Sequence, residues 1–187
     1  MVFFFAHQGL IKALAIEEYG SHIFHFGNLL HVKSGHIVHG CNAQGVMGSG
    51  VALGVKQTWP HVFESYRREY ETNGLMLGKA YPVPAVPSLL VWNAVTQNLY
   101  GTGQRLTNYE AVACCFEQVN SWITKNEEAV DERSLVLRVQ GTPAEVHIPL
   151  IGAARGGGNW RVIEAIIEET MDFPVTLWLP DATVTTR

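Results

Sequence analysis

The feature that most constrains the fold of this chain is a short apolar segment that breaks into a glycine-rich loop and continues as a helix. Residues 35–52 read GHIVHGCNAQGVMGSGVA. The apolar run centred on Ile37 and Val38 gives way at Asn42 to polar residues and glycines, and a helical pattern begins after Gly50. A strand end followed by a helix N-terminus presents backbone N–H groups to a ligand and favours phosphate. The segment has neither the G-x-G-x-x-G spacing of dinucleotide sites nor the Lys-Ser/Thr pair of a P-loop.

A second segment of the same kind lies near the C-terminus. Residues 146–160 read VHIPLIGAARGGGNW, with an apolar run Val146–Ile151, Gly152, three successive glycines at 156–158, and Asn159 as a suitable helix N-cap. In a parallel sheet both loops would follow the carboxyl ends of strands, where open α/β sheets bind their ligands. Two backbone-lined loops suit a diphosphate with a sugar on each side.

Length and composition indicate one globular domain. The chain has 187 residues, of which 47% are hydrophobic and 16% charged. Its net charge of −4 argues against a nucleic-acid binder that depends on neutralising phosphates. The chain has three cysteines, and two of them, Cys114 and Cys115, are adjacent and are interpreted as packing residues. Such a set indicates no disulfide framework, so we expect a reducing, cytoplasmic location. The N-terminus lacks the basic region of a signal peptide, and no stretch is long enough to span a membrane.

The remaining pattern predicts alternating strands and helices. We expect residues 1–21 to be an N-terminal extension and residues 22–187 to form the domain. The predicted elements are one or two short strands in Ile23–Val32, a short helix ending before Pro60, a helix Pro60–Asn73, an edge strand in Lys79–Pro87, a buried strand Leu89–Thr96, a helix from Asn108 to about Lys125, a strand Leu135–Val139, a helix after Asn159 and a final strand Val175–Leu179.

Five histidines lie between residues 22 and 39, and they do not form the pattern of a metal site. His22 and His25, and likewise His36 and His39, are three residues apart, which on a strand places the members of each pair on opposite faces. We therefore predict no metal and no cofactor.

The two glycine loops give the chain a resemblance to macro domains, the α/β fold that binds ADP-ribose. The matching segments are GNLL at 27–30, HGCNAQGVMGSGVAL at 39–53 and IPLIGAARGGGNW at 148–160, and the similarity extends over residues 22–179. Within the family the chain is most similar to the ADP-ribose 1″-phosphate phosphatase-like branch, which includes phage-encoded members; a phage protein would act in the host cytoplasm. The resemblance implies a three-layer α/β/α macro domain with a mixed central sheet. Another nucleotide-binding α/β fold is the alternative.

The resemblance also implies a binding site for ADP-ribose. Asn28 stands where many macro domains have an Asp that hydrogen-bonds adenine; the alternative is a turn Asn after Gly27. The first loop would hold the distal ribose, with Gln44 as a substitute for the second Asn of many members, which is Gly45 here, and the second loop would hold the diphosphate. The predicted ligand-binding residues are Gly27, Asn28, Leu29, Asn42, Gln44, Gly45, Val46, Met47, Gly48, Ser49, Gly50, Val51, Thr96, Ile151, Gly152, Ala153, Ala154, Arg155, Gly156, Gly157, Gly158, Asn159 and Trp160.

The candidate catalytic residues are His39, Asn42 and Arg155. His39 matches a histidine of the phosphatase-like branch, and the alternative is a buried histidine. Arg155 replaces a catalytic Asp of some members; a guanidinium cannot act as a base but could bind a terminal phosphate. Thr96 is followed by Gln97, where the ADP-ribosyl-glutamate and ADP-ribosyl-DNA hydrolases of the family have a catalytic lysine, and an amide cannot form the covalent lysine intermediate.

Three functions follow from the resemblance, in order of preference. The first is hydrolysis of ADP-ribose 1″-phosphate. The second is a non-catalytic module that reads or sequesters ADP-ribose derivatives, which the shortage of acid–base groups favours. The third is hydrolysis of an ADP-ribosyl or acyl ester, against which Gln97 and Gly45 count. In each case the expected partner is ADP-ribose or a derivative, free or carried on a macromolecule, with no membrane and no direct nucleic-acid binding.

Overall fold

A computed structural model describes residues 23–101, 104–128 and 142–180 of the chain. Its elements in chain order are strand β1 (Ile23–Phe26), a 3-10 turn (Leu29–His31), β2 (Gly35–Asn42), helix α1 (Gly50–Thr58), α2 (Pro60–Asn73), β3 (Ala80–Val86), β4 (Leu89–Gln97), α3 (Tyr109–Glu128), β5 (Val146–Ile148), α4 (Trp160–Thr170) and β6 (Val175–Leu179). None of these helices has the length and apolarity that crossing a membrane requires.

The strands form one mixed sheet in the order β1-β6-β5-β2-β4-β3. Every neighbouring pair is parallel except β3 and β4, which are antiparallel. β3 lies at an edge because Pro82 and Pro84 lack the N–H groups that an inner strand must donate on both sides. The mixed sheet and the edge position of this strand confirm the predictions from the sequence.

Helices cover both faces of the sheet, which confirms the predicted three-layer α/β/α arrangement. One apolar cluster joins Val38 of β2 to residues of α3 and α4, and a second joins Ile37 of the same strand to residues of α1 and α2. Because each face of β2 packs against a helical layer, seven of its eight residues are buried, as expected for a central parallel strand.

Two predicted strands are shorter in the structure. In the segment Ile23–Val32 there is one strand followed by a 3-10 turn, because the Asn28 side chain accepts a hydrogen bond from the N–H of Leu30 at 3.0 Å and caps that turn. β5 ends at Ile148, since Pro149 has no N–H with which to continue the ladder. The predicted extension at 1–21 and the predicted strand at 135–139 lie outside the described residues.

The topology places the two glycine loops side by side. β2 and β5 are hydrogen-bonded neighbours and run parallel, so the loops that follow Asn42 and Ile148 emerge at the same edge of the sheet. β4 lies on the other side of β2, and its end at Gln97 joins this edge. The fold therefore collects three strand ends around one space.

Candidate ligand-binding site

A cavity of about 950 Å³, called here the main cleft, opens at the carboxyl ends of β2, β4 and β5. Its volume lies at the upper end of the range of small-molecule sites, about 300–1,000 Å³. Most of the predicted ligand-binding residues line it, namely Gly27, Asn28, Leu29, Asn42, Val46, Gly48, Ser49, Gly50, Val51, Thr96, Ile151, Gly152, Ala154, Arg155 and Gly156.

Asn42 organises the first loop through both ends of its side-chain amide. Its Nδ2 donates to the carbonyl of Val46 at 2.7 Å, and its Oδ1 accepts from the N–H groups of Gln44 at 2.9 Å and Val46 at 3.3 Å. The hydroxyl of Tyr66 donates to the backbone carbonyl of Asn42. Asn42 is therefore committed to holding the loop in shape, although it also lines the cleft.

Three predicted ligand-binding residues of the first loop do not line the cleft: Gly45 and Met47 pack against helix α2, and Gln44 bonds the segment after β4. Gly45 has φ +68°, and a Cβ there would lie 2.7 Å from the ring of Tyr70. Met47 is buried against α2, and the Gln44 side chain donates to the carbonyl of Asn98 at 3.2 Å. We correct the predictions for Gln44, Gly45 and Met47: they shape the loop and do not line the cleft.

The second loop is closed by hydrogen bonds to the backbone carbonyls of two of its glycines. The carbonyl of Gly152 accepts from Thr107 Oγ1 at 2.7 Å and from the N–H of Gly158 at 2.9 Å. The carbonyl of Gly156 accepts from the N–H groups of Leu106 and Thr107 at 2.9 and 3.1 Å. The segment before α3 thus fixes the conformation of this loop.

Five predicted residues around the second loop do not line the cleft. Asn159 caps α4 by accepting from the N–H of Arg161 at 3.0 Å, and Trp160 is buried in the core. Ala153 packs against the same core, Gly157 turns towards the backbone of Arg105, and Gly158 closes the loop. We therefore correct the predicted ligand contacts of five residues, which have structural roles instead: Ala153, Gly157, Gly158, Asn159 and Trp160.

Arg155 extends from the second loop to the start of α1 and so spans the opening between the two loops. A Cβ placed on Gly50 would lie 3.5 Å from Cδ and 3.6 Å from Nε of Arg155. Ser49, the N-cap of α1, makes no side-chain capping bond, so the first N–H groups of this helix have no such partner. Within the described ranges no hydrogen bond or ion pair of Arg155 is found. A cation beside free helix N–H groups favours an anion.

His39 does not reach the main cleft, which corrects its predicted catalytic role. Its side chain has no exposed surface, and its Nε2 donates to Oδ1 of Asn93 at 2.9 Å. Cys41 Sγ lies 3.8 Å from Nδ1 of the same imidazole. Burial raises the pKa of the Cys41 thiol well above its usual range and lowers the pKa of His39 to about 4, so this Cys-His-Asn group holds no thiolate nucleophile.

Stability is expected to fall steeply in acid because two imidazoles are buried neutral. Burial lowers the pKa of His36 from 6.5 to about 4, with a smaller contribution from the neighbouring His147. Burial likewise lowers the pKa of His39 from 6.5 to about 4. The unfolded chain binds these protons near pH 6.5 and the folded chain only near pH 4. Stability present above pH 6.5 is therefore lost as the pH falls towards 4, on the order of 3 kcal/mol for each imidazole.

Urea unfolding between pH 7.5 and pH 4.5 measures this effect. The His39→Gln variant keeps a donor for Asn93 but cannot titrate. Its unfolding free energy should depend less steeply on pH than that of wild type, by an amount that corresponds to at most one fewer proton taken up on unfolding. An unchanged slope in this variant would contradict the assignment.

Thr96, at the end of β4, lines the cleft but buries its hydroxyl beneath it. This side chain is 1% exposed, and its Oγ1 has no hydrogen-bond partner among the described atoms. It lies 3.0 Å from where a Cβ on Gly40 would stand, so a larger residue at position 40 would press on this hydroxyl. The oxygen has almost no accessible surface, so it is a buried, unpartnered group beneath the cleft, which is a costly arrangement.

Sequence reasoning missed Trp178, which lines the cleft beside Gly27. Its ring packs on His25 with centroids 3.9 Å apart, and its Nε1 donates to Nδ1 of His147 at 3.2 Å. Burial lowers the pKa of His147, although the nearby Glu145 opposes the shift, and the neutral ring can accept this bond. The alternation of strand β6 could have indicated Trp178, because its neighbours Leu177 and Leu179 face the core.

The site also contains Gln97, which is the last residue of β4, one residue beyond the predicted end of that strand. Its Nε2 donates to the carbonyl of Leu99 at 2.7 Å. The amide therefore fixes the loop after β4 and provides no amine to the cleft. Within the described residues no three or more His, Cys, Asp or Glu side chains are arranged so that they could hold a metal ion.

Comparison with known proteins identifies the family. A model of the macro domain matches residues 38–167. An uncharacterised 17.5 kDa protein of Enterobacteria phage T4 is 27% identical over 156 residues, which cover 81% of this chain and 91% of that protein. A DNA ADP-ribosyl glycohydrolase of Thermus aquaticus is 25% identical over 78% of this chain, but the match spans only 36% of that enzyme. The structure of Thermosipho africanus DarTG in complex with ADP-ribose superposes with a TM-score of 0.64 at 15% identity, covering 89% of this chain and 43% of that one.

Proposed function

The chain belongs to the macro domain family, and on this premise we propose that its main cleft binds ADP-ribose derivatives and hydrolyses ADP-ribose 1″-phosphate to ADP-ribose and phosphate. The T. africanus relative, which has the same fold, was solved with ADP-ribose. The position of Arg155 is the observation that carries the phosphate part of the proposal. This unpaired cation lies beside Gly50, the first residue of α1, where the N-cap Ser49 makes no side-chain capping bond.

The lining of the cleft suits ADP-ribose from one end to the other. Adenine fits the end at Gly27, Asn28 and Trp178, where an apolar ring lies next to an amide. The Asn28 oxygen already accepts from Leu30, and its second lone pair is available to an amino group. The diphosphate would lie between the loops, and the distal ribose would lie over the ends of β2 and β4, above the Thr96 hydroxyl.

The proposed reaction transfers the phosphoryl group to water. A water oxygen attacks phosphorus, the bond between phosphorus and the ribose oxygen breaks, and a proton from the water converts that oxygen to a hydroxyl. Arg155 and the N–H groups of α1 would stabilise the charge that develops on the phosphoryl oxygens, a type of contribution worth about 3 kcal/mol for a single donor.

A second function, binding without catalysis, is favoured by what the cleft lacks. Among the described residues that line it, Arg155 is the one cation, and none is Asp, Glu, His or Lys. No lining side chain can therefore accept a proton from the attacking water near neutral pH. A module that reads or sequesters ADP-ribose needs no such group.

The Arg155→Ala variant tests the phosphate role. Phosphate release from ADP-ribose 1″-phosphate is expected to fall about 100-fold because a stabilising charge is lost, and Arg155→Lys should recover part of it. Arg68→Ala, an exposed arginine of α2 that does not line the cleft, is the matched control. Unchanged release in Arg155→Ala contradicts the proposed role. Wild-type protein that binds ADP-ribose without releasing phosphate identifies the binding module.

A further inference from the structure

Beside the main cleft lies a second cavity of about 380 Å³, called here the side cavity. It is lined by Asn98 and Leu99, which follow β4, and by residues 104–109, which lead into α3. Its volume is within the range of small-molecule sites, about 300–1,000 Å³. No function considered so far uses these residues.

The side cavity continues the line of the main cleft beyond β4. The sheet order β6-β5-β2-β4 runs from the Trp178 end of the cleft to the strand that ends at Gln97. Along the segment that follows, Gln97 and Tyr100 line the main cleft, whereas Asn98 and Leu99 line the side cavity. The Gln44 side chain ties the carbonyl of Asn98 to the first loop.

The two cavities also share a wall at the second loop. Thr107 lines the side cavity, and its Oγ1 donates to the carbonyl of Gly152, which lines the main cleft. Leu106 is likewise bound through its N–H to the carbonyl of Gly156. The second loop and the segment before α3 therefore form a hydrogen-bonded boundary between the two cavities.

The chemistry of the side cavity is cationic and rich in hydrogen-bond donors. The Arg105 guanidinium lies over the ring of Tyr109 with Cζ 4.6 Å from its centroid, which holds the cation in place. Arg105 is exposed and makes no ion pair with a described carboxylate, and no Asp or Glu lines the cavity. The amides of Asn98 and Gln104 complete a lining that suits an anion.

We propose that the side cavity is the subsite for an anionic group that the ADP-ribosyl ligand carries on its distal ribose, with Arg105 as the recognising cation. The inference rests on the proposed binding of ADP-ribose in the main cleft. The acidic side chains of a carrier peptide joined to the ribose have this chemistry, whereas the phosphate of ADP-ribose 1″-phosphate is assigned to Arg155 and the start of α1 in the main cleft. A nucleic-acid backbone fits less well, because Arg105 is the single Lys or Arg among the lining residues and the net charge of the chain is −4.

The experiment compares affinities of wild type, Arg105→Gln and Arg105→Lys by calorimetry. The probes are ADP-ribose and two serine-ADP-ribosylated peptides that differ in having glutamates or glutamines beside the modified serine. Arg105→Gln should bind ADP-ribose within twofold of wild type and lose about tenfold in affinity for the glutamate peptide, with partial recovery in Arg105→Lys. Arg68→Gln, outside both cavities, is the matched control.

The probes separate the two proposals. A loss of affinity confined to the glutamate peptide supports recognition of acidic carrier side chains, and an equal loss for the glutamine peptide contradicts it. Equal affinities of wild type and Arg105→Gln for the glutamate peptide would overturn the side-cavity proposal while leaving ADP-ribose binding in place. Tighter, Arg105-dependent binding of an ADP-ribosylated oligonucleotide would also contradict it. Wild type that does not bind ADP-ribose at all refutes the proposed function itself.

Discussion

Replacement of Gly156 by alanine is expected to lower the free energy of unfolding by about 3 kcal/mol and to weaken ADP-ribose binding at least tenfold. A Cβ on this residue would lie 2.5 Å from the carbonyl oxygen of Gly152 and still closer to Oγ1 of Thr107. A backbone carbonyl cannot move aside as a flexible side chain does, so the loop must change shape. That change would also displace Arg155, the preceding residue, from its position over α1. Urea unfolding and calorimetry with ADP-ribose measure the two effects.

Gly48→Ala is the matched control for stability in the first loop. The nearest atom to a Cβ there, apart from the chain neighbours, is Cγ1 of Val46 at 3.7 Å, which is ordinary contact. Its φ is not in the left-handed region. The free energy of unfolding should change by no more than about 0.5 kcal/mol. If Gly156→Ala were as stable as Gly48→Ala, the close packing of the second loop against Thr107 would be wrong.

The Asn42→Ala variant is expected to lose about 2–3 kcal/mol of stability and at least tenfold in affinity for ADP-ribose. The change removes a donor to the carbonyl of Val46 and the acceptor for the N–H groups of Gln44 and Val46. Without these bonds the first loop has no single conformation, and ligand binding must then order it. The free energy of that ordering appears as weaker affinity.

Asn120→Ala is the matched control for this change. Asn120 also uses both ends of its amide: its Nδ2 donates to Oδ2 of Asp172 at 2.7 Å, and its Oδ1 accepts from the backbone N–H of Asp172 at 3.0 Å. Asn120 lies on α3 and does not line the main cleft. It should lose stability while binding ADP-ribose as wild type does. Equal affinities of Asn42→Ala and Asn120→Ala for ADP-ribose would mean that the first loop does not form the site.

The residues that the structure reassigns share a physical cause. Met47, Trp160 and His39 lie in segments that the family motif covers, but their side chains point away from the cleft into the core. A motif identifies which segment approaches a ligand, whereas the direction of each side chain depends on the turns of the loop. The Cα position of a loop residue therefore does not establish a contact.

The sequence by itself determined the helices and most of the strands, because apolar periodicity, prolines and glycines act locally. It placed an edge strand in the proline-containing segment at 80–86 and ended α2 before Gly74, both of which follow from single-residue chemistry. It also predicted two glycine loops at one edge of a sheet, since parallel strands end together.

Only the tertiary structure decided what faces the ligand. Contacts between residues distant in sequence join the Tyr66 hydroxyl to the carbonyl of Asn42, bury His39 against Asn93, and bring Arg155 beside Gly50. The same is true of Arg105 and the side cavity, which exist because the segment before α3 is hydrogen-bonded to the second loop. Such juxtapositions depend on the order of strands and the packing of helices, which no local pattern of residues specifies.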